Sequence, residues 1–422
     1  GGTVPAEQLT NKWLGRMRYA GSSDRRAIKK SFYAILRYRA RLDWWIGFTG
    51  LNLTPNARRR LLAHLALIDK ATPDAISRLF SGARYCPPPL SDPEKNMIRF
   101  LCGKDLGHPQ MPLSVTYEFP AWMEGSLCTL WGKRLHKELT ALNRVAAVDL
   151  RVNTLKATRQ EAKVALKRAS IETVETVLSP LGLRLIGSSR LGETSAFKQG
   201  LVEIQDEGSQ LIALLCDAKP GMNVVDYCAG AGGKTLALAA SMGRSSKVVG
   251  RLTACDTSKS RLDRLRPRLK RAGVTGVKCR IINAHEDCWV AKQAGKIERV
   301  LVDVPCTGMG TWRRDPNMKW LITPMDLEKL INLQRHILTN AASMLRPGGK
   351  LIYATCSLLR EENECQVGWF LDHHTNFRPI PIDKVWAETI TSKLPTSGQN
   401  LRLSPATTKT DGFFCAVFIK IL

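Results

Sequence analysis

From about residue 201 to the C-terminus, short apolar runs alternate with amphipathic stretches of helical period, and that alternation leaves few folds open. Strand patterns cover residues 223–227, 248–255, 278–283, 300–304, 350–355 and 413–420. Helical patterns fill 234–242, 259–272, 324–345 and 360–373. The order predicts an α/β fold with a doubly wound, mostly parallel sheet. In such sheets ligands bind in the crevice outside the carboxyl ends of the strands.

Two cysteines are delivered to that crevice. Cys306 follows a strand in Val302-Asp303-Val304-Pro305-Cys306-Thr307, and Cys356 follows another in Tyr353-Ala354-Thr355-Cys356-Ser357. Free cysteine is a common small core residue. Two at strand ends beside a cofactor-type loop point instead to nucleophilic chemistry.

That loop is Cys228-Ala229-Gly230-Ala231-Gly232-Gly233-Lys234-Thr235, after the strand Val224-Val225-Asp226-Tyr227. Glycines allow a ligand close to the backbone, and the helix start offers free N–H groups. A phosphate loop would need Gly where Cys228 stands, and a dinucleotide fingerprint would need Gly or Ala where Thr235 stands. Asp256, after the next strand, is placed either to hold a ribose diol or to cap the helix beginning near Ser258. A diol without phosphate and a small carboxylate at the helix start describe S-adenosylmethionine, so residues 228–234 and Asp256 are its expected binding site.

Lys plus Arg number 63 against 37 Asp plus Glu, a net charge of +26. Such an excess attracts polyanions, with nucleic acid first and anionic membrane second. The 12 cysteines include no C-x-x-C pair and do not cluster with the seven histidines, which speaks against a zinc site or a disulfide scaffold. No metal is expected. Reactive thiols suit a reducing compartment, so a cytoplasmic location is expected, as is a monomer. No apolar run is long enough to span a bilayer.

The N-terminal part reads as basic helices. Residues 25–42 follow Asp24, an expected N-cap, and 57–68 form a second helix. Between Lys12 and Arg41 ten residues are basic and only Asp24 is acidic. Arg25, Arg26 and Lys29 are therefore candidates for phosphate contact rather than a merely solvated face. Prolines break the chain near 85–93 and again at Pro109 and Pro112, and 122–142 reads as helical. A small α/β unit follows near 149–187, in which Arg151 and Asn153 are candidates to face nucleic acid. The expected domains are 1–110, 111–200 and 201–422.

With these residues in view, the chain resembles the RNA 5-methylcytosine methyltransferases of the RsmB/NOP/NSUN family. The resemblance is carried, in order, by 151–156, 205–210, 226–235, 303–310, 312–320, 353–363 and Thr410-Asp411-Gly412-Phe413-Phe414. The stretch 22–46 is similar to the NusB-like RNA-binding helical domain fused to the bacterial RsmB branch, whose substrate is 16S ribosomal RNA. The resemblance implies a Rossmann-like class I methyltransferase domain preceded by an RRM-like α/β domain and an all-α NusB-like domain. It implies that Cys356 attacks cytosine C6, that Cys306 helps release the product, and that Asp303 hydrogen-bonds the base edge and borders the cofactor. Lys234 is expected either to place the base and lower a thiol pKa or to be a surface helix lysine. Arg313, Arg314 and Lys319, bracketed by Trp312 and Trp320, are expected to touch RNA backbone. Ala231 replaces a proline frequent in the family, and an adenine-contacting residue near 283–287 is not assigned. Transfer RNA as substrate, or a non-catalytic assembly factor of the same fold, are the alternatives.

Overall fold

A computed structural model describes residues 6–17, 19–187, 190–244, 247–283 and 287–421. Much of the stretch in which an adenine contact was sought, 284–286, lies outside the described residues. The chain divides into two units. One runs through Arg144 and takes in Trp312–Ile322; the other comprises Val145–Thr311 and Thr323–Leu422. Neither expected boundary, at 110 or at 200, coincides with this division.

The first unit is helical. Ala6–Arg16, Ser22–Arg37, Arg39–Phe48, Ala57–Leu67, Pro73–Leu79 and Asp92–Leu101 are its principal helices before residue 110. Asn56, Thr72 and Ser91 cap three of them, each side chain accepting a backbone N–H that the first turn leaves unpaired. Leu42, Trp45, Ile46, Leu62, Ile76 and Met97 form the centre of its core. The expected helix over 25–42 is two helices. It breaks at Tyr38, whose φ of −108° and ψ of 22° are not helical. Asp24 is not the N-cap: Gly21 takes that place, and the Asp24 carboxylate accepts the Gly21 N–H at 3.0 Å from the third helical position.

The second unit contains two sheets. The smaller has strands β1 (Asp149–Val152), β2 (Thr173–Glu175), β3 (Gly182–Leu185) and β4 (Val202–Ile204), ordered β2-β3-β1-β4 and antiparallel throughout. Because β4 lies beyond residue 200, the small sheet does not end where the sequence suggested.

The larger sheet is built from β5 (Asn223–Asp226), β6 (Gly243–Arg244), β7 (Lys247–Asp256), β8 (Thr275–Ile281), β9 (Ile297–Asp303), β10 (Leu345–Thr355), β11 (Phe377–Ile380), β12 (Leu401–Leu403) and β13 (Phe413–Lys420). Strands β8, β7, β5, β9 and β10 run parallel, and β13 pairs antiparallel with β10. Side chains alternate across a strand, and here both faces are covered. Val224, Leu252, Leu301, Ile352 and Val417 enter one apolar cluster, while Val225, Val300, Val302, Leu351, Tyr353 and Phe418 enter another. This is why these strands read as continuous apolar runs. Each such fully buried aliphatic side chain contributes about 1.5–3 kcal/mol. The register opposes Asp226 to Ala254 and Leu301, and Ala354 to Asp303. Asp226, Asp256, Asp303 and Thr355 thus end their strands along one edge.

Candidate active site

The loop after β5 makes the first wall of the crevice. Gly230 and Gly232 adopt φ of +56° and +83°, a region that side chains with a Cβ disfavour. A Cβ on Gly232 would also strike Leu265, so this glycine serves helix packing rather than ligand approach. The N–H of Ala229 donates to the Cys255 carbonyl at 2.8 Å, and the Gly230 N–H to Asp256 Oδ2 at 2.9 Å. Asp256 Oδ1 accepts the Ser258 N–H at 2.8 Å. Asp256 is not the cap of the helix Lys259–Ala272, whose N-cap is Ser258; it braces the turn before that helix and lines the cavity with Cys228 and Asp303. That cavity is about 310 Å³; a second, of about 270 Å³, is lined by Asp226, Cys228–Ala231, Gly233, Lys234 and Asp303. Cys228 borders both and packs against the apolar cluster behind, where burial holds its thiol pKa well above the ordinary value.

Lys234 is not a surface lysine. It is buried, and its Nζ lies 2.5 Å from Asp303 Oδ2 and 5.4 Å from the centre of the Phe413 ring. Burial opposes its charge, but the Asp303 carboxylate more than offsets this and the ammonium pKa is raised. Asp226 is buried beneath. Its Oδ2 accepts the Thr235 hydroxyl at 2.6 Å, and its Oδ1 has no protein partner. Burial raises its pKa to about 7, against the hydrogen bond from Thr235.

The two cysteines meet. Cys306 Sγ and Cys356 Sγ are 3.4 Å apart, both partly exposed. The hydrogen bond with Cys356, and then burial, push the Cys306 thiol well above its usual pKa. The Cys356 carbonyl accepts the Gly310 N–H at 2.8 Å, which ties one cysteine turn to the other.

Several residues expected on an RNA-facing surface are elsewhere. Arg151 is 3% exposed; its guanidinium donates to Gln205 Oε1 and, at 2.8 Å, to the Gly233 carbonyl. Burial lowers its pKa to about 10. Asn153, also buried, donates to the carbonyls of Gly200 and Ala272 at 2.9 Å. Both are struts, since a polar side chain on a strand buried between sheet and loop must find protein partners. Arg313 and Lys319 are likewise buried. Lys319 donates to Asn143 Oδ1 at 3.1 Å, and burial lowers its pKa to about 7 despite the nearby Glu118 carboxylate. The Arg313 carbonyl accepts from Arg37, and Trp320 Nε1 donates to the Leu36 carbonyl at 3.4 Å. The tryptophans bracket this segment because it is packed into the helical unit, not because it faces a nucleotide. Arg314 is half-buried. In the helical unit Arg26 is exposed, Arg25 donates to the carbonyls of Ala20 and Met17, and Lys29 to Asn11 Oδ1 at 2.7 Å.

Sequence reading passed over other residues. The helix Lys259–Ala272 and the neighbouring strand β8 expose Lys259, Arg261, Arg264, Arg266, Lys270, Lys278 and Arg280, with Asp263 the one acid on that helix. The charge run itself was the available signal. Asp226 was legible only as the end of a strand. Among the described residues no group of His, Cys, Asp or Glu is arranged to hold a metal, and no helix is long and apolar enough to cross a membrane.

Residues 213–419 match the family described as 16S rRNA methyltransferase RsmB/F, and residues 119–191 match the ferredoxin-like domain of RsmF/B-like methyltransferases. A probable ribosomal RNA small subunit methyltransferase B of Synechocystis is 33% identical over 313 residues, covering 74% of this chain and 69% of that protein. The ribosomal RNA small subunit methyltransferase B of Sodalis glossinidius is 32% identical over 71% of this chain and 65% of its own length. The crystal structure of PH0851 superposes with a TM-score of 0.82 over 99% of this chain and 95% of that one, at 27% identity. A methyltransferase homolog of Pyrococcus horikoshii gives a TM-score of 0.62 over 73% and 97%, at 28% identity.

Proposed function

The chain belongs to the RsmB/F family of 16S rRNA methyltransferases, and we propose that it methylates C5 of a cytosine in 16S ribosomal RNA through a covalent bond between Cys356 and C6 of the base. The observation that carries this reading is the pair of sulfurs, 3.4 Å apart, at the carboxyl edge of the sheet beside the Lys234–Asp303 pair. The methyl donor is S-adenosylmethionine, whose sulfonium supplies an electrophilic methyl group. The residues present fit it. Asp226 Oδ1 at the base of the crevice accepts no hydrogen bond from the protein, and Asp256 offers a carboxylate at the place a ribose diol would take. The loop 228–234 supplies the remaining wall.

Cytosine C5 is a weak nucleophile. Addition of the Cys356 thiolate to C6 moves the electrons of the C5–C6 double bond towards C5, dividing one hard step into two easier ones. Asp303, held by Lys234, accepts hydrogen bonds from the base edge while that charge develops. Once C5 carries the methyl group, its proton passes to water reaching the crevice, the C5–C6 double bond re-forms, and the C6–S bond breaks with the electron pair leaving on the Cys356 sulfur. Cys306, a protonated thiol at neutral pH, donates a hydrogen bond to the departing Cys356 sulfur. The target base must be unstacked to reach the crevice, which favours loops and bulges. Arg25, Arg26 and Lys29, with the exposed basic residues of Lys259–Ala272, supply backbone attraction.

The test uses Cys306→Ala with 16S ribosomal RNA and S-adenosylmethionine. A protein–RNA adduct that survives a denaturing gel and vanishes when Cys356 is also replaced supports the reading. An adduct with transfer RNA alone keeps the chemistry and changes the substrate. No adduct with either, together with no cofactor binding in calorimetry, favours a non-catalytic assembly factor.

A further inference from the structure

The turn Arg360–Glu362 and the residue after it lie outside the crevice, yet they hold its two cysteines. Glu362 is completely buried. Its Oε1 accepts the Thr307 N–H at 2.9 Å and Gln334 Nε2 at 3.0 Å, and its Oε2 accepts the Thr307 hydroxyl at 2.6 Å. Gln334 Nε2 also donates to the Pro305 carbonyl at 2.9 Å. Pro305 and Thr307 flank Cys306, so this carboxylate and amide hold the Cys306 turn on both sides.

Asn363, the next residue, is equally buried and does the corresponding work for Cys356. Its Oδ1 accepts the Thr355 hydroxyl at 2.6 Å, and its Nδ2 donates to the Ser357 carbonyl at 3.1 Å. Thr355 and Ser357 flank Cys356. The two braces are joined three ways. They are consecutive in the chain. The Tyr353 hydroxyl donates to the Glu362 carbonyl at 2.6 Å, and the hydroxyls of Thr307 and Ser357 are 3.2 Å apart. Because the Thr307 proton is given to Glu362, Ser357 is the donor between them. Buried acceptors this fully satisfied fix geometry, and loss of one partner leaves the others exposed to a desolvation penalty.

We infer that Glu362 and Asn363 are a paired positioning device: Glu362 sets the Cys306 turn for product release, and Asn363 sets the Cys356 turn for attack on C6. This rests on the covalent reading above, and it separates two steps that a general packing role would affect together. Glu362 touches no reacting atom, so it acts through Thr307 and Cys306; Asn363 acts through its bonds to Thr355 and Ser357.

The experiment reads trapped adduct on denaturing gels for full-length variants with 16S ribosomal RNA and S-adenosylmethionine. Glu362→Gln, and Thr307→Val as a gentler change that removes only the hydroxyl brace, should accumulate adduct at least about 10-fold above the unmodified protein as turnover falls. Asn363→Ala placed on Cys306→Ala should instead cut trapped adduct about 10-fold. Cofactor affinity by calorimetry should stay within about twofold for all of them. Glu362, Thr307 and Asn363 variants that all lose adduct in proportion to lost folded protein would overturn the assignment, as would variants that behave like the unmodified chain. If Cys306→Ala traps adduct and Glu362→Gln does not, the paired device fails and the covalent reading stands. If Cys306→Ala traps nothing with either 16S ribosomal RNA or transfer RNA, both fall.

Discussion

The carboxyl edge of the large sheet and the outer face of the helix Ser22–Arg37 are both rich in charge, and they use it in opposite ways. At the sheet edge Lys234, Asp226 and Asp256 are buried, as is Arg151 of the smaller sheet beneath Gly233, each with a partner within 2.9 Å. On the helix Arg26 stands in solvent, and Lys29 shares a hydrogen bond with Asn11 at a half-exposed site. A buried charge is fixed in place and costs several kcal/mol when its partner is removed, whereas an exposed pair is worth about 0–1 kcal/mol. The first kind can hold a fixed geometry; the second can contribute only attraction that salt screens.

Five variants sharpen or break that contrast, from the largest expected effect to the smallest. Cys356→Ala should abolish methylation by at least about 1,000-fold while cofactor binding measured by calorimetry persists. Turnover close to that of the unmodified chain would remove the nucleophile assignment. Lys234→Met leaves Asp303 without its cation. Breaking a buried pair costs about 3–5 kcal/mol, and less here because the Asp303 side chain is 30% exposed, so methylation should drop about 100-fold and the melting temperature should fall.

Arg151→Met withdraws the strut under Gly233. Cofactor affinity should weaken about 10-fold with RNA affinity unchanged at fixed salt. If RNA affinity alone fell, Arg151 would belong with the surface group after all. Asp226→Asn should act through pH. The folded-state pKa near 7 lies above the ordinary 3.8, so the folded chain binds the extra proton between those values. Stability from this group is full below about pH 4 and is lost as pH rises through 7. The variant should flatten that decline in melting temperature between pH 4 and 7. An unchanged slope would mean that Asp226 is ionised throughout. Replacing Arg25 and Arg26 together with Ala should weaken RNA binding only about two- to threefold and lower the slope of log affinity against log salt by about one per lost contact. An unchanged slope would make that face solubilising surface.

How much of this was legible in the sequence depended on whether a residue's neighbours were local. Strands such as Phe413–Lys420, and the helix Lys259–Ala272, could be read because apolar periodicity is local. The cysteines could be placed because each lies just beyond a strand. Arg151, Asn153, Arg313 and Lys319 were misjudged for the opposite reason. Their side-chain partners include Gly233 for Arg151, Ala272 for Asn153 and Asn143 for Lys319, between 82 and 176 residues distant, and Arg37 reaches the Arg313 carbonyl from 276 residues away; a basic or amide side chain looks the same in sequence whether it meets phosphate or a buried acceptor. The three-residue strand β4 carries too little pattern to separate it from a loop.

The segment Trp312–Ile322 also limits how this protein can be taken apart. The polypeptide leaves the helical unit after Arg144, returns to it at Trp312 and leaves again after Ile322, so the helical unit is covalently stitched to its companion at three points. A single cut at Arg144 would not free the N-terminal fragment, because Trp320 and Lys319 still hold Leu36 and Asn143. For the same reason a truncation of residues 1–110 is not a clean excision. It would remove Leu36 and Arg37, to which Trp320 and the Arg313 carbonyl are bonded.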